Sequence, residues 1–439
     1  MPTAAAFLLA GALPEWLAWL PVGRGETTKT RAPGLDGVRA LAVLAVLAFH
    51  EGASGLPGGF LGVDVFFVLS GFLITGLLTG RHDETGRLDL KEFWIREASL
   101  RLALLAAATY TSNWYQILHR VPYFAAAGQF GTPPPLDHLW SLAIEEQFYL
   151  IWPVILGLVI LRPNERGARV AATLLGVGAS ALAMALQYPP GGDPSAVYYG
   201  TDTHASALLI GAALALACPL PALASMPPAQ TRRLDAAGIA GLVILAWATG
   251  HFSGRDPVVY PVGLILAALG AAGLIAAAAG TGVIAAITGW PPLRWVGVRS
   301  YGIYLWHWPV IALGTALAGS AAAASPSPWL WLAEAGVTIA LAAASWRFIE
   351  TPILRDGLLA TARRWRQVLT EAARRPARSR GRAVPVTVAA TTAIIVLVAG
   401  RHPPPPGGRQ TLRPRDTRRD QSRAVRRPAV LVPVTPRRV

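Results

Sequence analysis

The sequence predicts an all-α fold, a polytopic transmembrane bundle of about 10–11 helices, from three observations. Hydrophobic residues make up 53% of the chain and charged residues only 14%, with a mean hydropathy of +0.43. Apolar runs recur from end to end, and several approach the roughly 20 residues that span a bilayer. Lysine and arginine concentrate in alternate loops, a pattern typical of multi-pass membrane proteins.

The apolar segments define the predicted spans in order along the chain. Two lie back to back within 35–75, and a third, 100–114, is short and contains Arg101 and Asn113. The later predicted spans are 141–161, 168–187, 204–220, 233–251, 258–280, 299–318, 328–346 and 384–400.

The positions of lysine and arginine favour counting 100–114 as a span. Basic residues precede the first span, follow the second and recur after the fourth, whereas the loops 51–59 and 188–203 contain none. Omitting 100–114 would reverse the orientation of every later loop. Because basic loops stay in the cytoplasm, this count predicts a plasma-membrane protein with a cytoplasmic N-terminus and an extracytoplasmic C-terminus.

Ionisable residues interrupt the first two spans, where a lipid-facing helix would avoid them. Asp36, Arg39 and His50 lie in the first span and Asp64 in the second. Arg39 and His50 are eleven positions apart, so on a helix they share a face and lie about 16 Å apart along its axis. Asp36 is within side-chain reach of Arg39. Ionisable groups at membrane depth are costly, so this stripe indicates a functional site.

Two later segments add candidate residues. PLDHLWSLAIEEQFYLIWP at 135–153 places His138, Glu145 and Glu146 near the outer end of a span. Adjacent carboxylates suit acid–base chemistry, although a helix cap or a pair with arginine is the structural alternative, and neighbouring residues point about 100° apart. RSYGIYLWHWPV at 299–310 places Tyr304 and His307 on a polar-aromatic face. An interfacial aromatic belt explains the tryptophans of that segment equally well, but not the histidine.

These motifs resemble the acyltransferase-3 family of integral membrane O-acyltransferases. The resemblance rests on Leu-Asp-Gly-x-Arg-Ala, Phe-His and Gly-Val-Asp-x-Phe-Phe-Val-Leu-Ser-Gly-Phe-Leu-Ile within 35–75, on His-x-Trp-Ser-Leu-x-x-Glu-Glu-Gln-Phe-Tyr at 138–149, and on Ser-Tyr-x-x-Tyr-Leu-x-His-x-Pro at 300–309. It implies transfer of an acyl group, often acetyl from acetyl-CoA, to a hydroxyl acceptor. That acceptor is a carbohydrate, glycolipid or secreted metabolite, with surface polysaccharide and peptidoglycan both open.

The resemblance and the chemistry of the residues suggest individual roles. His50 is the predicted catalytic imidazole, as general base or as covalent acyl carrier, and Glu145 and Glu146 are the predicted catalytic carboxylates. Arg39 suits the phosphates of a CoA donor. Acyl-CoA is expected as a co-substrate, with no permanently bound cofactor and no metal. The predicted residues for binding donor or acceptor are Asp36, Arg39, Asp64, His138, Tyr304 and His307.

Two departures from the family pattern leave other functions open. The region around the third span, 100–114, is shorter than in the family pattern. His204 stands where the family commonly has arginine, which would weaken a substrate site or make it pH-dependent. A degenerate, inactive member is therefore one alternative. A transporter of a polar substrate is another, because intramembrane charges also mark transport paths. Nucleic-acid binding is not expected, since the basic stretches lack interleaved stacking aromatics.

Five regions are predicted along the chain. They are a leader at 1–32, a membrane acyltransferase domain at 33–356, a basic cytoplasmic linker at 357–383, a further transmembrane helix at 384–400 and a disordered Pro/Arg-rich tail at 401–439. Because that tail lacks aromatic residues and cannot bury a core, we expect the Ser-Gly-Asn-His hydrolase-like domain found in some family members to be absent.

Overall fold

The computed structural model describes residues 32–86 apart from 54, 111–124, 137–324 apart from 164 and 261, 328–357 and a few positions between 360 and 367. Over these residues the regular structure is helical throughout, which confirms the predicted all-α class. The α-helices are α1 Pro33–His50, α2 Gly62–Thr85, α3 Ser112–Leu118, α4 Trp140–Ile155, α5 Arg166–Gln187, α6 Ser195–Tyr199, α7 Thr201–Ala217, α8 Leu220–Ala224, α9 Pro228–His251, α10 Val262–Ala279, α11 Val283–Thr288, α12 Pro291–Gly297, α13 Ser300–Ala324, α14 Pro328–Ser345 and α15 Thr351–Asp356.

Seven helical segments of the described chain are long and apolar enough to cross a membrane, as a polytopic bundle requires. They are Pro33–His50, Gly59–Glu84, Asp137–Ile160, Arg166–Gln187, Pro228–His251, Val262–Ala279 and Pro328–Asp356. The predicted spans at 204–220 and 299–318 are also largely helical, in α7 and α13. The leader at 1–31, most of 100–114, nearly all of the linker, the span 384–400 and the tail lie outside the described residues.

α1 packs against five other helices of the bundle. It contacts α2, α10, α11, α12 and α13, so most of its residues are buried in protein although their composition would suit lipid. α2 returns antiparallel to it, and glycines let the two backbones meet at the turn. A Cβ on Gly62 would collide with the carbonyl oxygen of Ala42, and one on Gly59 with that of Ala45. The charged residues of α1 therefore face neighbouring helices, which reduces the cost of placing them at membrane depth.

α2 and α7 run parallel and cross with their backbones in direct contact. A Cβ on Gly71 would fall on the carbonyl oxygen of Leu208, and a Cβ on Gly211 would fall on that of Val68. Two helical turns earlier on each helix, Asp64 and His204 face each other, with Asp64 Oδ1 3.2 Å from His204 Nε2. Glycine is needed at the crossing because any larger residue would separate the helices and this buried pair with them.

α4 also runs parallel to α2, because two hydrogen bonds join them in the same order. Ser70 donates to Glu145 Oε1 at 2.8 Å, and further along both helices Trp152 Nε1 donates to Thr75 Oγ1 at 2.8 Å. Both helices therefore start at the end of the bundle where His50 lies. The chain leaves α2 at the opposite end and is back beside His50 by Tyr123.

Candidate functional site

Three histidines from three separate elements meet at the C-terminal end of α1. His50 Nδ1 lies 3.0 Å from His307 Nε2 of α13, and the ring centroids of His307 and His138 are 5.3 Å apart. His138 and His307 are buried, with 3% and 1% of their surface exposed. The edge of Trp308 packs against His50 with the ring centroids 4.7 Å apart. We call His50, His138 and His307 the histidine cluster.

The hydrogen bonds of His307 and His50 indicate which of their ring nitrogens carry protons. His307 Nδ1 faces the backbone carbonyl oxygen of Tyr304, which can only accept, so Nδ1 carries the proton and Nε2 holds a lone pair. That lone pair accepts from His50 Nδ1–H. His50 Nε2 is left with a lone pair, and the Tyr123 hydroxyl donates to it at 3.3 Å. The imidazole of His50 thus presents a basic nitrogen at Nε2, held in one tautomer.

Tyr123 is a site residue that the sequence did not reveal. It follows α3 in a short irregular segment, packed against Phe49, Trp140 and Tyr198. Burial, followed by the neighbouring Tyr304 and Tyr199, raises the pKa of the Tyr123 hydroxyl well above its ordinary value, so it remains a donor. No motif or spacing marks this residue. Only the fold brings it to His50, which is 73 positions away.

A cavity lies nearer the N-terminal half of α1. Its apolar walls are side chains of α2 and α4, and its polar lining consists of Arg39, Ser70, Ser141, Glu145, Ser300, Tyr301 and Tyr304. Asp36 holds the guanidinium, with Oδ1 3.4 Å from Arg39 Nη1. The arrangement presents one buried cation among apolar groups, which suits a ligand with an anionic part and an uncharged chain.

Tyr304 connects this cavity with the histidine cluster. Its ring lines the cavity, while its hydroxyl donates to the carbonyl oxygen of His138 at 2.8 Å and lies 2.6 Å from Ser141 Oγ. Its backbone carbonyl accepts from His307. A molecule in the cavity would therefore lie one side chain away from the cluster, and the predicted importance of Tyr304, His138 and His307 has a common geometric basis.

The structure places Glu145 and Glu146, the predicted catalytic carboxylates, in different surroundings. Glu145 accepts from Ser70 and lines the cavity with Arg39. Glu146 is half-buried and is not among the residues that line the cavity. Successive helical residues point about 100° apart, so one glutamate faces the cavity while the next faces elsewhere.

Asp64 and His204 lie together between α2 and α7. Both side chains are 1% exposed, and neither lines the cavity. Phe67, Trp140 and Tyr198 surround His204. In this structure His204 therefore pairs with Asp64, on the neighbouring helix.

No group of three or more His, Cys, Asp or Glu side chains in the described part of the chain has the geometry to hold a metal ion. The histidine cluster offers imidazole and hydroxyl groups for acid–base chemistry. The site as a whole has three functional groups: the basic Nε2 of His50, the buried cation of Arg39, and Tyr304, which connects the two.

A multi-pass membrane bundle with a buried imidazole beside a cationic cavity is the type of molecule that these features define. The family described as an acyltransferase domain matches residues 33–347, so the chain belongs to this acyltransferase family. The predicted family and enzyme class are thereby confirmed.

The chain is similar to curated relatives whose names specify O-acetyltransferases. A putative peptidoglycan O-acetyltransferase of Bacillus subtilis (strain 168), YrhL, is 40% identical over 364 residues, which are 76% of this chain and 56% of the relative. The peptidoglycan O-acetyltransferase OatA of Listeria monocytogenes is 40% identical over 357 residues, 74% of this chain and 56% of OatA. A putative O-acetyltransferase of Staphylococcus aureus (strain COL) is 37% identical over 75% of this chain and 58% of its own length.

The matched region therefore spans little more than half the length of these relatives. No solved structure matches the chain.

Proposed function

We propose that the chain is a membrane-bound O-acyltransferase that moves an acyl group, acetyl in the simplest case, from acyl-CoA to a hydroxyl of a cell-envelope carbohydrate. The observation that carries the proposal is the imidazole of His50, held between Tyr123 and His307 so that Nε2 carries the lone pair of a base. Peptidoglycan is the favoured acceptor, because the names of two relatives specify it.

The Arg39 cavity is the proposed site of the donor. A CoA thioester combines phosphate groups with an uncharged chain, and the cavity combines one arginine with apolar walls. Arg39 would bind a phosphate and Tyr304 would lie next to the thioester. Asp36 and Arg294, whose Nε is 3.8 Å from Asp36 Oδ2, would hold Arg39 in position.

The proposed chemistry requires one base. His50 Nε2 takes the proton of the acceptor hydroxyl, replacing Tyr123 as the group that donates to it, and the oxygen attacks the thioester carbonyl carbon. The carbon–sulfur bond breaks, and the thiolate then takes the proton that His50 received. A route in which His50 itself carries the acyl group uses the same nitrogen. Trapping labelled acetyl on the denatured protein distinguishes the covalent route from the general-base route.

We infer that the N-terminus is cytoplasmic and the C-terminus extracytoplasmic, with His50 towards the outer face. Support comes from the alternation of basic loops and from the parallel arrangement of α2 and α4, which requires one return between them. In a background with Cys218 replaced, Gly128→Cys should react with a membrane-impermeant thiol reagent in intact cells. Labelling only after the membrane is opened would mean that the protein has the opposite orientation.

The direct test of the proposed function uses the full chain reconstituted in lipid vesicles. Radiolabelled acetyl-CoA is supplied with soluble peptidoglycan fragments, and the products are identified by mass spectrometry as O-acetylated sugars. Wild-type protein should transfer label, and protein without His50 should not. Donor binding without any product would favour an inactive family member, and movement of the sugar across the membrane without acetylation would favour a transporter.

A further inference from the structure

Two buried glutamates face each other beside the histidine cluster, and the proposed chemistry uses neither. Glu51 is the first residue after α1, immediately following His50, and Glu334 lies in the first half of α14. Their exposed fractions are 8% and 6%. Carboxyl groups this buried are rare unless they are paired, so their partner needs to be identified.

The partner of each carboxyl is the other one. The two carboxyl groups are within hydrogen-bonding reach of each other. His50 precedes Glu51 and His307 lies on the adjoining α13, but both histidines are engaged in the cluster. No arginine or lysine of the described chain forms an ion pair with either carboxyl.

The surroundings of Glu334 are shaped to hold its carboxyl in this position. It lies against Gly314 of α13, where a Cβ would fall on Oε1. Thr338, one turn further along α14, is fully buried, and its hydroxyl has no hydrogen-bond partner in the described structure. Glu51 Oε1 and Glu334 Oε1 likewise have none. The α13–α14 hairpin therefore contains an unusually polar patch opposite the end of α1.

Two ionised carboxylates cannot occupy such a site together, because each is desolvated and repels the other. One proton between them converts repulsion into a hydrogen bond. Consistently, burial and then the hydrogen bond with the Glu334 carboxyl raise the pKa of Glu51 from 4.5 to about 8.

We propose that Glu51 and Glu334 share one proton and thereby fasten the end of α1 that carries His50 to the α13–α14 hairpin. Loss of this proton separates the carboxyls and moves the residue that directly follows His50. The pair is thus a proton-operated latch on the site, responsive to the pH on the side that His50 faces. Its effect on turnover rests on the proposed function, whereas its effect on the folded state does not.

The direction of the pH effect follows from the proton count. Between pH 4.5 and about 8 the folded protein keeps a proton on Glu51 that the unfolded chain releases. Since the folded state then binds more protons than the unfolded state, stability falls as the pH rises through this window. Above it the pair carries two charges and the latch is open.

The test is the apparent Tm of the full chain, purified in detergent, measured from pH 6 to about 9.5, which brackets the proposed loss of the proton. The Tm of the wild type should fall by several degrees as the pH rises. In Glu51→Gln and in Glu334→Gln the amide replaces the shared proton by donating to the remaining carboxylate, so this fall should be largely lost. Glu84→Gln, at the exposed end of α2, is the matched control and should behave as wild type.

A fourth variant, Gly314→Ala, displaces the Glu334 carboxyl without changing any charge. It should lower the Tm near pH 6 and reduce its pH dependence. Wild-type pH dependence in both glutamine variants would overturn the proposal.

Acyl transfer supplies a second readout. The alkaline fall in wild-type activity should move to higher pH in both glutamine variants, with activity at pH 7 changed less than twofold. Absence of transfer at every pH would count against the proposed function alone, because the melting experiment stands without it. Transfer with an identical alkaline limb in wild type and both variants would count against the latch.

Discussion

The two ends of α1 solve the problem of burying polar groups in opposite ways. Near its N-terminus, the cationic Arg39 pairs with the carboxylate of Asp36, 3.4 Å away. The same carboxylate lies 3.8 Å from a second cation, Arg294. At its C-terminus, His50 bonds to an imidazole and a phenol, which are uncharged in the bonding pattern described above. The N-terminal end of α1 thus carries a fixed charge, whereas the C-terminal end carries neutral groups joined by hydrogen bonds.

This difference separates binding from chemistry along one helix. A fixed, compensated cation attracts an anionic ligand without changing its own state. A neutral imidazole in a chain of hydrogen bonds can accept a proton and pass it on. If the comparison is right, variants at the two ends should differ in kind, with one affecting turnover and the other affecting donor affinity.

The largest expected effect is at the histidine end. His50→Ala should lower kcat for acyl transfer by about 10²–10⁴-fold, because the general base is removed. Binding of donor, measured with a non-hydrolysable CoA thioether, should be nearly unchanged. His251→Ala, an exposed histidine stacked on Trp247, is the control and should retain activity. Turnover near the wild-type rate in His50→Ala would remove His50 from the chemistry.

The arginine end should respond through donor affinity. Arg39→Ala should raise KM for acyl-CoA by about 10–100-fold with a smaller change in kcat, since a charge-assisted contact contributes about 1.5–3 kcal/mol. Asp36 keeps Arg294 as a partner in this variant, so the fold should survive. Arg166→Ala, at the exposed start of α5, is the control and should leave KM unchanged. An unchanged KM in Arg39→Ala would make Arg39 a structural partner of Asp36.

The smallest effect is expected at Tyr123, which orients His50 rather than reacting. Tyr123→Phe removes one neutral hydrogen bond, of about 0.5–1.5 kcal/mol, and should lower kcat by roughly 2–10-fold. Because the bond favours the neutral form of His50, the acidic limb of the pH–rate profile should also move to higher pH. Tyr115→Phe, on an exposed tyrosine, is the control. A loss comparable with that of His50→Ala would make Tyr123 a participant in the transfer.

Features that depend on local periodicity were predictable from the sequence. Helical geometry gave the Asp36–Arg39 pair and the common face of Arg39 and His50, because both depend only on spacing within one helix. The apolar runs predicted where the long helices lie along the chain. The polar-aromatic face of 299–310 pointed correctly to Tyr304 and His307 as a pair of neighbours.

Features that depend on contacts between distant elements were not predictable. His50 and His307 are 257 positions apart, and no periodicity records which helices meet or at what depth. The hydrogen bond between Ser70 and Glu145 likewise joins helices whose residues are 75 positions apart. Tyr123 lies in an irregular segment without any helical period, so the sequence offers no signal for it.

The glycine crossing of α2 and α7 also limits how this sequence can change over time. Gly71 follows Asp64 by seven positions, and Gly211 follows His204 by seven. On each helix the residue of the buried pair thus lies about two turns before the glycine of the crossing. A one-residue insertion or deletion in either interval would rotate Asp64 or His204 by about 100° and leave its partner alone in the core. These stretches can therefore diverge by substitution but not by a change in length.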